Sequence, residues 1–574
     1  MDDPIAFEVV KNGLAALADE LAITIVRTAH SQVVRDSLDF STAICDAEGR
    51  VVAQGCGIPL HLGAIPDAMQ VLGAKFAGDV NPGDVFILND PDEGGMHLPD
   101  IFVIKPVFAE EGLLGYAACV AHYPEIGGRM AGGNAVDSTE IFQEGLQIPL
   151  LKLYDRGRRD ETLIAILLRN VRIPDVVMGD LEAQLAACHV GEAGLLALAS
   201  RYGAPELQDF MAQVLDYTES RLRAELRRIP DGEYSFADHI DDDGFGSGPI
   251  RIAVKLRIVG DQLEADFSGT SPQVRSALNA TMSFTKATVY AALKCVVDDD
   301  IPSNSGFYRP ITVKAPAGTI LNPLRPAPRA ARGLTGFRAC DVVLRALADA
   351  LPGRVPAAGE GGASMIAIGG RRVDHSPFIF VDFVTGGWGA RPAADGLDGN
   401  SPIAANLSNV PVEEIEAHDP LRVERYGFLP DTGGAGRFRG CLSVVRQYRF
   451  LEEEALLQLR SDRRDHLPYG LEDGWPGTPS SNVLNPGSAA ERSLPTNVTT
   501  EISKGDVFRH ITAGGGGYGQ PLHRECARVL DDVLDGKISN EYAERVYGVV
   551  MVESGDRVDD AATRSLRDRL TAPR

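Results

Sequence analysis

Apolar residues recur at intervals of three and four from the start of the chain, at Phe7, Val10, Leu14, Leu17, Leu21 and Ile25. With Pro4 suited to a first turn, this spacing predicts a long amphipathic helix over residues 4–34. The period then changes. DFSTAICDAEGRVVAQG reads as strand, turn at Glu48-Gly49, strand: a hairpin by its turn residues and β-branched flanks. HLGAIPDAMQVLGAKF reads as a loop entering a helix. DVFILND and IFVIKPVF are strand-like, with the Gly- and Pro-punctuated loop PDEGGMHLPD between them. GLLGYAACVAHY predicts a buried strand ending at His122. Residues 159–228 are helix-rich, 231–275 turn to β character, and 277–300 are helical again. The stretch 315–333, rich in Pro and Ala, predicts a linker or exposed loop. Residues 334–574 mix one helix (CDVVLRALADAL), Gly-rich loops, strands and a final helical segment at 529–547. No internal repeat is present. The expected fold class is α+β, multidomain, with mixed β-sheets and a helix-rich middle segment. The expected divisions are 1–200, 201–333 and 334–574.

Composition narrows the function classes. At 574 residues the chain exceeds what one core supports. A formal net charge of -24 disfavours nucleic acid and anionic membrane surfaces as partners. The short basic clusters Arg221–Arg228 and Arg460–Arg464 are each interrupted by an acid, Glu225 or Asp462, and read as solvated surface. The 8 cysteines are scattered without a CxxC pair, which disfavours a disulfide framework or zinc ribbon and suggests buried thiols. The acidic start MDDPIAFEVV lacks a signal-peptide pattern, and no apolar run is long enough to span a bilayer. A cytoplasmic, reduced protein is expected.

The chemistry concentrates in NDPDEGGMHLPD (89–100). His97 and Asp100 are three apart, Asp90 ends a strand, and His122 ends the next strand-like run. Two imidazoles and a carboxylate converging from adjacent strand ends suit a divalent ion such as zinc, manganese or iron. Two surface-loop histidines would leave the same pattern. Asp36, Asp39 and His61 are further candidates for such a site, or are turn caps. Gly514–Gly517 offer either a phosphate cradle or a structural turn; no GK[ST] follows, and the structural reading is favoured. The loop 386–400, with Trp388, Arg391, Asp395 and Asp398, suits a pocket, an interface or plain turn chemistry. No GxSxG or HExxH is present.

Taken together, SLDFSTAICDAEGRVVAQG, HLGAIPDA, NDPDEGGMHLPD, HYPEIGG, EGLQIP, DFSGTSPQV, GGWGARPAADGLDG, NLSNVPVEEIE, YGFLPDTGGAGRFRG and ITAGGGGYGQP resemble the hydantoinase B / oxoprolinase family, in order and over nearly the whole chain. The resemblance implies a subunit of an ATP-dependent enzyme opening a cyclic amide (hydantoin, 5-oxoproline or lactam). ATP and Mg would be bound by a hydantoinase A-type partner subunit, in a heterotetramer or larger assembly. It implies one divalent metal ion (Mn, Zn or Fe) in this subunit, on positions matching Asp39, His97, Asp100 and His122, with Asp36 the rival for the first. Glu125 or Asp90 would serve as general base or orient a ligand. The related ketone carboxylases imply an alternative, bicarbonate-using activity, and a metal-free scaffold subunit is a third reading. The chain departs from the family pattern at Tyr123, where many members carry histidine, and at Glu125, where many carry aspartate. It also departs around 325–333.

Overall fold

The computed structural model describes residues 3–55, 57–61, 63–362 and 364–571. The first helix, Pro4–Thr28, starts where Asp3 Oδ1 accepts the N–H groups of Ile5 and Ala6 at 3.0 and 2.9 Å. All six predicted apolar positions are buried. The helix stops short of residue 34 because Asp180 Oδ1 accepts the N–H groups of His30 and Ser31. Ser31 then caps a separate short helix, Gln32–Arg35. A tertiary hydrogen bond overrides the sequence period here.

The predicted hairpin and strands form one seven-stranded sheet. Its strands are β1 (Phe40–Asp46), β2 (Val51–Gln54), β3 (Val85–Leu88), β4 (Asp100–Ala109), β5 (Gly112–His122), β6 (Leu151–Asp155) and β7 (Arg158–Arg159), in the order β2-β1-β5-β4-β3-β6-β7. Both faces of the central strands are covered. Ile44, Val103, Cys119 and Ala121 pack towards the helices Pro4–Thr28 and Pro174–Tyr202, while Cys45, Phe102, Ile104 and Val120 enter a second core. This explains near-continuous apolar runs such as GYAACVAHY. The register sets Asp100 of β4 opposite His122 of β5, and Phe40 of β1 opposite Ala121 of β5.

A second sheet, β8 (Gly232–Ile240), β9 (Ile250–Val259), β10 (Gln262–Asp266) and β11 (Ile311–Lys314), lies against the helix Arg332–Ala350. The core beneath it draws residues from Val33 to Leu407, across both expected divisions of the chain. Two further sheets fill the C-terminal part. One contains Ser364–Arg371, Pro377–Val384, Glu454–Arg460 and Asn497–Ser503. The other contains Leu421–Phe428, Val444–Phe450, Ser481–Leu484, Arg492–Ser493 and Val507–Ile511. The α+β multidomain class stands. The final helical segment is two helices, Cys526–Leu534 and Asn540–Tyr547, followed by a third, Asp560–Thr571, that periodicity did not single out.

Two expectations are corrected, and the favoured structural reading of a third stretch, Gly514–Gly517, holds. The stretch 315–333 is no exposed linker: Ile320, Leu321, Ala330 and Ala331 are fully buried, and Arg329 and Arg332 nearly so. Within the Arg460–Arg464 cluster, Arg460, Asp462 and Arg463 are interior, not solvated. The Gly514–Gly517 run cradles no phosphate, because its four amides already donate to the carbonyls of Thr478, Cys441, Ala358 and Trp475 at 2.8–3.1 Å. A Cβ on Gly516 would lie 2.0 Å from the Tyr469 oxygen, so only glycine fits. In the loop 386–400, Asp395 pairs with Arg524 and Asp398 with Arg439, tying it into this packing. Among the described residues the cysteines are free; Cys45, Cys119, Cys188, Cys340 and Cys441 are buried, and Cys56 lies outside the described residues. No helix among the described residues is long and apolar enough to cross a membrane.

Candidate metal centre

The ends of β4 and β5 deliver three donor atoms to one point. His97 Nε2, Asp100 Oδ1 and His122 Nδ1 lie 3.0–3.1 Å from one another. His97 reaches the point from the turn before β4, where its own carbonyl accepts the Asp100 N–H. All three residues are 0–3% exposed. Asp39, at the foot of β1, accepts the His122 N–H on its backbone oxygen and brings Oδ2 to 3.9 Å from His122 Nδ1. Asp36 instead pairs with Arg35.

The protonation pattern follows from the partners. His97 Nδ1 faces the carbonyl oxygen of Ala330 at 3.1 Å. A carbonyl only accepts, so Nδ1 carries the proton and Nε2 presents its lone pair to the cluster. Burial, aided by the Arg332 charge, lowers the His97 pKa to about 3. Burial would raise Asp100, yet the Arg332 guanidinium, which donates to its Oδ2, holds it well below the usual carboxylate range. Burial lifts Asp39 to about 6 against the opposing charge of His122. His97 Nε2 and the ionised Asp100 Oδ1 therefore face inward as acceptors beside His122 Nδ1, which is the donor chemistry of a cation site.

Around this triad lie two residues that sequence reasoning missed, Arg332 and Arg460, and one that it singled out, His61. Arg332, the first residue of its helix, donates to Asp100 Oδ2. Arg460 ends the strand Glu454–Arg460 and points at the Ala330 oxygen from 3.5 Å. His61 Nε2 stands 3.8 Å from Asp39 Oδ1, and its Nδ1 is 2.9 Å from Ser41 Oγ. Ser41 and His61 also form part of the wall of a cavity of about 730 Å³ between the Pro4–Thr28 helix, the β1–β2 hairpin and residues 291–303. Mixed charges in RAARG and RSDRRD gave no local sign of burial.

Two expected participants, Glu125 and Asp90, have other partners. Glu125 is buried, but its oxygens accept from Gly127 N, Gly132 N and Arg172 Nη1, so it clamps the turn after β5. Asp90 caps the turn at Pro91–Glu93 and faces Arg325. No hydrogen bond or ion pair among the described residues joins either to the triad.

This fold and its strand-end cluster define a family. Residues 3–521 match the family profile described as hydantoinase B/oxoprolinase, and the chain belongs to that family. It is 33% identical over 583 residues to the B subunit of a putative D-/L-hydantoinase of Pseudomonas sp. (strain NS671), covering 98% of each chain. Its structure superposes on the crystal structure of an ATP-dependent caprolactamase from Pseudomonas jessenii with TM-score 0.92 at 31% identity, covering 99% of both chains. A nucleotide-free acetone carboxylase structure shares the fold, with TM-score 0.92 at 21% identity, over 99% of this chain and 83% of that one.

Proposed function

We propose that this chain is the metal-carrying subunit of an ATP-dependent hydrolase of cyclic amides, acting on substrate that a hydantoinase A-type partner activates with ATP. The observation that carries this reading is the triad: three potential ligand atoms about 3 Å apart, with the His97 tautomer fixed by Ala330. His97, Asp100 and His122 would hold one divalent ion (Mn, Zn or Fe), with Asp39 as the fourth ligand. Such an ion supplies Lewis acidity and water ionised near neutral pH. The likeness to a hydantoinase subunit and a caprolactamase supports an amide substrate and a partner subunit.

The chain's own residues set up the reaction in four ways. Arg332 holds Asp100 ionised and fixed in orientation. The Ala330 carbonyl keeps the His97 proton on Nδ1, away from the reacting side. Burial of the triad excludes bulk water, so an activated amide meets one positioned nucleophile. The cavity ending at Ser41 and His61 gives a small ring an approach to Asp39.

Elemental analysis of the protein purified with its partner tests the reading. About one divalent ion per chain is expected in the wild type, lost in His97→Ala together with ATP-dependent turnover. An active complex without stoichiometric metal would remove the proposal. Turnover that requires bicarbonate would replace hydrolysis with carboxylation.

A further inference from the structure

Buried cations in this protein are generally matched to acids. Arg338 and Arg463 share Asp238, Asp462 and Asp341; Arg524 is held by Asp395 and Asp532; Arg446 faces Asp382. Arg460 differs. Its side chain is 5% exposed, and no carboxylate lies within 4.0 Å of it among the described residues. An unpartnered Nε it shares with Arg338, Arg446, Arg463 and Arg524, but its one hydrogen bond among the described residues is the long contact from Nη1 to Ala330 O. It nevertheless sits at the candidate centre. The same Ala330 oxygen takes the His97 proton, and the Phe383 ring touches both His122 and Arg460, with centroid distances of 5.9 and 5.7 Å. Position 333, next to Arg332, lies against the Arg460 guanidinium. Two guanidiniums therefore converge on the triad, and only Arg332 is paired, through Asp100.

A buried guanidinium without a counter-charge is costly, and a protein that keeps one has a partner for it in some working state. The charge count says what kind. With the imidazoles neutral, Asp39 and Asp100 cancel Arg332 and Arg460; a divalent ion leaves the cluster two positive charges in excess. A phosphoryl group is a dianion, and guanidinium geometry suits its oxygens.

We propose that Arg460, seconded by Arg332, is the receptor for a phosphoryl group, carried in on the activated substrate or left behind as inorganic phosphate. This rests on the reading above for the substrate and on Arg460's surroundings for the site. Arg460 is the binding residue, since it would touch the phosphoryl oxygens; Arg332 also fixes Asp100.

The test uses the full-length chain as purified, with its metal content measured, and inorganic phosphate as the probe. Titration calorimetry should show phosphate binding to the wild type that weakens about ten- to hundredfold in Arg460→Met. Metal content should stay unchanged, and the thermal midpoint should stay level or rise, because an unmatched buried charge is removed. Arg460→Lys, which keeps the charge without the fork, should fall between the two, and it decides the matter should Arg460→Met fail to fold. Acetate, a monoanion, should bind the wild type far more weakly than phosphate. If phosphate inhibition and turnover change together, the group is read on the substrate; if only inhibition changes, the site takes the free product. Phosphate binding that is absent from the wild type, or equal in the wild type and both variants, overturns the proposal. Phosphate binding through Arg460 in a protein without metal would leave this inference standing while the metal reading fails; stoichiometric metal with phosphate binding indifferent to Arg460 would do the reverse.

Discussion

Around Gly514–Gly517 the chain packs peptide against peptide. The amides bond to carbonyls of residues 358, 441, 475 and 478. Around His97 it packs charge against charge, with two carboxylates, two guanidiniums and three imidazoles taken out of water together. The glycine layer gains close backbone contact and leaves no room for a side-chain atom. The charged cluster is expensive to build, and its ionisable groups are available for chemistry. On the proposed reading, stability and function are placed in different parts of one chain, and substitutions should separate them.

The sharpest break would come in the glycine layer. Gly516→Ala puts a Cβ 2.0 Å from the Tyr469 oxygen, where backbone on both sides must move. A loss of at least about 4 kcal/mol is expected, read by denaturant unfolding or as failure to accumulate soluble protein. A stable Gly516→Ala protein would erase the contrast.

A second, intermediate effect belongs to the charged side and depends on pH. Burial lifts Glu144 to about 8, although its Oε1 accepts the N–H groups of Arg329 and Ala330. Below its ordinary value, about 4.5, folded and unfolded states both hold the proton. As pH climbs from there towards 8 the unfolded chain releases it first, and stability falls; above 8 the loss is complete. The slope is at most about 1.4 kcal/mol per pH unit. Glu144→Gln should flatten this part of the profile in unfolding midpoints measured from pH 5 to 9. An unchanged slope would mean that Glu144 is not held in its protonated form.

The smallest effect sharpens the boundary of the cluster. Glu125→Gln keeps the shape but removes the charge facing Arg172, whose side chain is one-third exposed. A cost of about 1 kcal/mol is expected, with metal content and most turnover retained. Lost turnover at unchanged stability would restore Glu125 as the general base.

Much of the first sheet was legible because its signals are local. The hairpin turn at Glu48-Gly49 and the apolar run into His122 lie within a few residues of what they specify. His97, Asp100 and His122 fall at strand ends, where a register of adjacent strands brings them together without distant help. Asp39 could be told from Asp36 only by position, since one faces His122 and the other Arg35. Arg332 and Arg460 were not legible. Arginine in a Pro- and Ala-rich stretch, or among alternating charges, normally marks surface. Only the carboxylates at 39 and 100, hundreds of residues away in sequence, reverse that meaning. The end of the first helix was hidden for the same reason, because Asp180 sets it. The glycine run named its chemistry but not its partners, and the partners decided between cradle and scaffold.

The glycine layer also has a genetic consequence. Glycine is encoded by GGN, so a base change at the first or second codon position that yields another amino acid adds a Cβ. At Gly477, Gly514, Gly516 and Gly517 that Cβ would fall within 2.1 Å of a backbone oxygen. Missense variants there should be read in cells as missing protein, whereas variants at His97 or Arg460 should leave the protein present but idle.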